Sequence, residues 1–180
     1  MSQPQMGRAA LDADLERVRR DFHRLLATTR EDEWAAPSDG TRWTNEELLF
    51  HMVFGYMIAQ KLLVLVRLFG RLPAGPSRAY AGLLNATTRP FDVINFYGSR
   101  VAAKVYNRRR MGPELDRMIA SMQRSLRRAT DADFARGMHY PNRWDPYFSE
   151  YMTLADIYRY PGQHYDHHRN QLTVNGIRQS

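Results

Sequence analysis

The most restrictive stretch of the chain opens at Thr44-Asn45-Glu46-Glu47 and runs, almost wholly apolar, through His51 to about Phe69. Thr44 at N-cap and Glu47 three residues on form a capping box, which satisfies two backbone donors reciprocally and fixes where a helix begins. Leu48, His51, Gly55, Ile58, Leu62, Leu65 and Phe69 then recur at helical spacing as its inner row. A helix this apolar raises the question of a membrane. His51, Gln60, Lys61 and Arg67 interrupt it, and no run of eighteen uncharged apolar residues exists. It is therefore read as the buried helix of a bundle, with no membrane partner.

Other segments supply its neighbours. Leu11, Leu15, Val18, Phe22, Leu25 and Leu26 give a first helix from about Leu11 to Thr29, with Arg17, Arg19, Arg20 and Arg24 as a solvated face and His23 at the surface. Pro37-Ser38-Asp39-Gly40 marks a turn. Pro73, Gly75, Pro76 and Pro90 punctuate residues 70–90, leaving room for one helical turn around Tyr80–Leu84. Phe91–Arg110 reads as helix, and Pro113 suits the first turn of another that ends near Ala129. Asp131–Glu150 reads as loop, and Thr153 with Asp156 caps a final helix. Strand-like alternation persists nowhere. The expectation is an all-α, four-helix bundle with a helical insertion between the second and penultimate long helices. Residues 1–9 are read as a loose leader and 10–180 as one domain, long enough to bury a core without staples.

The chain has no cysteine, so disulfides and thiolate metal sites are excluded; this fits a reducing, cytoplasmic setting. Its net charge of +7 could attract nucleic acid, but no recognition motif accompanies it. Lys61 and Lys104 are the only lysines, and a GC-rich genome yields the same arginine bias without any binding role. Nucleic acid is not expected as a partner. Arg108–Arg110 and Arg124, Arg127 and Arg128 are read as surface, with an anionic thiol or a substrate carboxylate as their alternative use.

The chemistry-bearing stretch is Tyr160-Pro161-Gly162-Gln163-His164-Tyr165-Asp166-His167-His168-Arg169. His164 and His168, spaced i, i+4, leave one face of a helix, and that face is the apolar row of Leu154, Ile157, Pro161, Tyr165 and Leu172. His51 lies on the inner row of its own helix. Inward imidazoles need partners: either hydrogen bonds and water, or a shared cation. Three neutral nitrogens would leave a divalent ion with open positions, as in a reactive site, and suit zinc, nickel, iron or copper without choosing among them.

Trp43-Thr44 with His51 eight residues after the tryptophan, followed by the C-terminal His164-x-x-His167-His168-Arg169-x-Gln171-Leu172, resembles the DinB/YfiT superfamily. The resemblance runs from the first helix to about Thr173. It implies a four-helix bundle, often a homodimer, with a divalent ion (zinc or nickel foremost) on His51, His164 and His168. It also implies a small-molecule enzyme: a thiol S-transferase using a mycothiol- or bacillithiol-like cosubstrate, with a metal-dependent hydrolase, an isomerase or a non-catalytic metal-binding bundle as alternatives. The family's name reflects damage-inducible expression and implies no DNA chemistry.

Two features depart from the family pattern. Pro161-Gly162 precedes His164 directly, so a kink or restart is expected near Ile157–Pro161, with His167 as reserve ligand. The Pro76–Arg110 segment is extra and is expected to cover the site or form a dimer face. Glu47, one turn before His51, is either cap partner or outer support for a ligand. Asp166 falls on the opposite face from the histidine pair and is read as solvated. Tyr56, Tyr97, Tyr160 and Tyr165 are read as core or pocket wall. His139, Trp144 and Asp145 are read as structural cover for the bundle mouth, with substrate contact as the alternative.

Overall fold

The computed structural model describes residues 7–174. Eight helices and one small sheet follow in order: α1 (Arg8–Thr28), α2 (Glu31–Trp34), α3 (Asn45–Phe69), α4 (Ala74–Ala86), α5 (Thr88–Val105), α6 (Arg108–Arg128), α7 (Asp131–Ala135), β1 (Gly137–His139), β2 (Tyr151–Thr153) and α8 (Leu154–Arg169). The four long bundle helices are α1, α3, α6 and α8. α1 packs on α6 and α8, and α3 packs on the same two, so α1 and α3 sit across a diagonal. This places the buried face of α3 directly against α8, where the histidines are.

Both expected capping boxes form. The Thr44 hydroxyl accepts from the Glu47 N–H at 3.3 Å while the Glu47 carboxylate accepts from the Thr44 N–H at 3.0 Å. The Thr153–Asp156 pair does the same for α8. α3 is long and apolar enough to cross a bilayer, but in the bundle its expected inner row is buried at Leu48, His51 and Gly55 and half-buried at Ile58, Leu62, Leu65 and Phe69, and a neighbouring set of residues goes deeper. Leu48, Leu49, Met52, Tyr56, Ala59 and Val66 are all fully buried. It is a core helix.

Several boundaries differ from the sequence reading. α1 begins at Arg8, two residues inside the expected leader, whose first six residues lie outside the described part. The insertion holds two helices, because Pro76 and Pro90 both fall in first turns, where a proline removes no helical hydrogen bond. The break expected between Arg110 and Pro113 lies earlier, at Tyr106-Asn107. There the Asn107 side chain accepts from the Arg109 N–H at 3.1 Å and starts α6, which carries Pro113 within it. Residues 131–150 are not all loop. α7 forms under a Thr130–Asp133 capping box, and β1 pairs antiparallel with β2, Met138 opposite Met152. Three-residue strands are too short for alternation to be legible. The pairing ties together both ends of the 140–150 loop and holds it over the bundle mouth.

The restart expected at Pro161 does not occur: α8 is continuous from Leu154 to Arg169. Pro161 is buried, and at Gly162 a Cβ would lie 2.2 Å from a carboxylate oxygen of Asp14 on α1. Close packing against α1 and α3 holds the turn that the proline weakens. Tyr165, whose hydroxyl donates to Asp21 Oδ2 at 2.8 Å, and Arg169, whose Nε donates to the same oxygen at 2.6 Å, anchor the second half of α8 to α1. Asp166, expected to be solvated, is half exposed and takes two 2.9 Å bonds from the Arg17 guanidinium.

Candidate metal centre

His51 from α3 and His164 and His168 from α8 meet in the bundle interior. Each offers a nitrogen such that all three lie within 4.8 Å of one another, and their ring centroids are separated by 4.5 to 5.1 Å. His51 and His164 are buried and His168 is half-buried. The diagonal placement of α1 and α3 produces this: the inner row of α3 looks straight at the i, i+4 pair of α8.

Two of the rings are oriented by hydrogen bonds. His168 Nδ1 lies 2.7 Å from the Gln171 side-chain oxygen, and His51 Nδ1 lies 3.2 Å from the Ser99 hydroxyl on α5. Partners on Nδ1 leave Nε2 of both rings free for a ligand, an arrangement usual around metal-binding histidines. His164 Nδ1 is buried with no hydrogen-bond partner among the described residues. Its ring lies against Gly55, where a Cβ would come within 2.6 Å of that nitrogen. Trp43 stacks on His51 at 4.5 Å between centroids and stands edge-on to His168 at 6.3 Å.

Burial keeps the cluster neutral. The His51 pKa is pushed down to about 3, by loss of solvent first and by the neighbouring His168 second. Burial lowers His168 to about 4, against the opposing hydrogen bond that its Nδ1 makes to the Gln171 side-chain oxygen. His164 is held well below its ordinary value by burial and by the other imidazoles. Three neutral imidazoles are the protonation state that a cation requires. An all-nitrogen donor set, an orphaned buried nitrogen and two oriented rings together fit a divalent ion.

Other residues singled out in the sequence are placed as follows. His167 is exposed, its ring edge-on to Tyr147 at 5.8 Å. Glu47 serves as the cap and its second oxygen accepts from Arg100 Nε at 3.0 Å, so both oxygens are engaged away from the histidines. Tyr160 lines the site, Tyr56 and Tyr165 are core, and Tyr97 is exposed. His23 is surface-placed and bonded to Asp116 at 2.9 Å. His139 is buried beside the Ser77 hydroxyl at 3.3 Å, a structural role.

The same loop also supplies functional groups that were read as cover. Trp144 and Asp145 line a cavity of about 300 Å³ that ends on the three histidines. Asp145 accepts from the Tyr147 N–H at 2.8 Å and from the Tyr160 hydroxyl at 2.9 Å, and burial pushes its pKa up. Its Oδ2 stands 3.9 Å from His164 Nε2, too far for a hydrogen bond. Ser99 had no sequence signal. Of the insertion, α5 packs along α3 and covers the site through Ser99 and Phe96, while α4 walls the cavity with Tyr80 and Leu84.

No curated protein matches the chain. Among solved structures, it is similar to YfiT from Bacillus subtilis, described as a probable metal-dependent hydrolase with an unusual four-helix bundle topology. The TM-score is 0.67 at 17% identity, covering 96% of this chain and 87% of that one, a likeness that shows the fold. The sequence model of the DinB superfamily matches residues 14–172, from the first bundle helix through the histidine pair and the Gln171 that orients it. By that match the chain belongs to the DinB superfamily.

Proposed function

We propose that the protein is a metal-dependent enzyme acting on a small molecule, with His51, His164 and His168 holding one divalent ion. The observation that carries this reading is the cluster of three imidazoles, two buried and one half-buried, at the end of a cavity open to small molecules. Zinc and nickel head the candidates, with iron and copper compatible with the same donors. A divalent ion there supplies positive charge that lowers the pKa of a thiol or a water beside it. The chain's own groups supply position: Gln171 and Ser99 fix two rings, Gly55 admits the third, and Trp43 and the 140–150 loop exclude bulk water.

Within that class, the reading we favour is a thiol S-transferase. A low-molecular-weight thiol of the mycothiol or bacillithiol kind gives up its S–H proton to water, and its sulfur then bonds to an electrophilic carbon as that carbon's leaving group departs with the bonding electron pair. The chain has no cysteine, so any thiolate must come from a diffusible cosubstrate. A second groove, lined by Thr41, Arg42, Asn95 and Gln171, reaches His168 separately from the first cavity and gives a polar cosubstrate its own approach. Hydrolysis with water as the nucleophile is the second reading, favoured by the description of YfiT.

The test begins with elemental analysis of the purified protein beside His51→Ala and His168→Ala. One divalent ion per wild-type chain and loss in both variants are expected; metal-free wild type, or full retention in both variants, would end the reading. Conjugation of a model electrophile only when thiol, metal and protein are all present supports the transferase; turnover without thiol supports the hydrolase. The reading includes a homodimer in the cytoplasm, formed through the exposed apolar row Ile94, Tyr97, Val101 and Val105 on α5.

A further inference from the structure

The two openings onto the histidines differ in chemistry. The cavity of about 300 Å³ is walled by Phe54, Ile58, Leu62, Leu65, Leu84 and Phe148. Its polar groups gather at the inner end, where Asp145 and Tyr160 stand beside the histidines. Although the chain is rich in arginine, none of the described arginines lines this cavity, and the one lysine among its described lining residues, Lys61, is solvent-exposed. The groove on the other side carries Arg42, with Asn95, Thr41 and Gln171 as hydrogen-bonding groups. Trp43, Asn95 and His168 belong to both.

We infer that the cavity takes an uncharged, largely apolar molecule, no larger than a bicyclic aromatic, and that charged or strongly polar partners are confined to the Arg42 groove. An anion entering the cavity would lose its water and meet the Asp145 carboxylate, whose side chain is only 12% exposed; against this stand only Lys61, solvent-exposed on the wall, and the divalent ion on the histidines. A cation fares little better. Both Asp145 oxygens already accept hydrogen bonds, from Tyr147 and Tyr160, and a divalent ion on the histidines would repel a second positive charge. A neutral apolar body loses nothing on entering and is offered aromatic and aliphatic walls. The cavity volume stands at the lower end of the roughly 300–1,000 Å³ range of small-molecule sites, which sets the size limit. In the transferase reading on which this rests, the neutral molecule is the electrophile.

Three probes sharing one ring system test the assignment by calorimetry on the full chain: 2-naphthol (neutral), 2-naphthoate (anion) and 2-naphthylmethylammonium (cation). The expected result is one site per chain that binds the naphthol at least tenfold more tightly than either ion. Ile58→Trp, which fills the wall one turn beyond the histidine level, should weaken naphthol at least tenfold while leaving metal content at the wild-type value. Leu84→Trp, from α4 outside the four-helix core, repeats the block should the first variant fail to fold. Equal or tighter binding of either ion that Ile58→Trp or Leu84→Trp weakens overturns the charge assignment; ion binding that both variants leave unchanged belongs to the Arg42 groove and supports it. Absence of naphthol binding, or binding indifferent to both blocking variants, overturns the cavity assignment. A protein that binds naphthol as described but no metal retires the metal reading and leaves this one standing; metal without naphthol does the reverse.

Discussion

Gly55 offers the sharpest check on the packing logic, because two effects of known size oppose each other there. In the middle of a helix, glycine to alanine ordinarily stabilises by about 1 kcal/mol. At Gly55 the new Cβ would lie 2.6 Å from Nδ1, 2.9 Å from Cε1 and 3.4 Å from Cγ of His164. Bringing the shortest of these to an ordinary contact of about 3.5 Å requires the ring to retreat by roughly 0.9 Å. The ring is enclosed by α3, Tyr160 and the other histidines. Overpacking of that kind costs about 1–3 kcal/mol, so it outweighs the propensity gain or cancels it. Gly55→Ala should therefore lower metal-free stability by about 0–2 kcal/mol. In a His164→Ala background, where nothing stands opposite, the same change should raise stability by about 1 kcal/mol. Urea unfolding of the four metal-free proteins reads the cycle, with an expected coupling of about 1–3 kcal/mol. Metal affinity, followed by competition with a chromophoric chelator, should fall about 10–100-fold in Gly55→Ala, the scale seen when a ligand is misaimed. An equal effect of Gly55→Ala in both backgrounds would refute the account of why glycine stands there.

The remaining predictions concern protons and assembly. The three histidines are neutral when folded and have an ordinary pKa near 6.5 when unfolded, so the unfolded chain binds more protons below that value. Their contribution is complete above about pH 6.5 and is lost as the pH falls from 6.5 toward about 4 for His168 and about 3 for His51. At pH 5 the loss is up to about 2 kcal/mol for a fully buried imidazole and less for half-buried His168. The urea midpoint of the metal-free protein should drop between pH 7 and pH 5, and His51→Leu should shallow that slope; a flat profile in wild type would show the rings to be solvated. For assembly, Val101→Glu places a charge in the middle of the exposed α5 row and should convert a dimer to a monomer in sedimentation equilibrium. An unchanged sedimenting mass would remove that face from the interface.

How much of this was legible in the sequence follows from the range of the signals. The capping boxes at Thr44 and Thr153 are local, and both helices start where those residues place them. The inner rows of α3 and α8 are periodic, so His51, His164 and His168 could be assigned to buried faces before any neighbour was known. Ser99 could not: it sits on a helix whose exposed face is as apolar as its buried one, and its relation to His51 exists only once α5 has packed on α3. Asp145 and Trp144 were visible as a dense cluster in a loop. What aims them is the β1–β2 pairing, and three-residue strands leave no periodic trace.

Pro161-Gly162 shows the same division from the other side. Taken alone, the dipeptide argues for a break, since an interior proline removes one hydrogen bond and costs about 3 kcal/mol in an isolated helix. The break is absent because the flanking residues are held from outside the helix. Leu154, Ile157 and Tyr158 are buried before it, and Tyr165 and Arg169 are tied to Asp21 after it. Gly162 has its own reason, since the Asp14 carboxylate occupies the space a side chain would need. The dipeptide that reads locally as a helix breaker is, in the bundle, a close contact between α1 and α8. That contact sits two residues before the one that most needs to be held, His164, whose ring must stay within reach of His51 on a different helix.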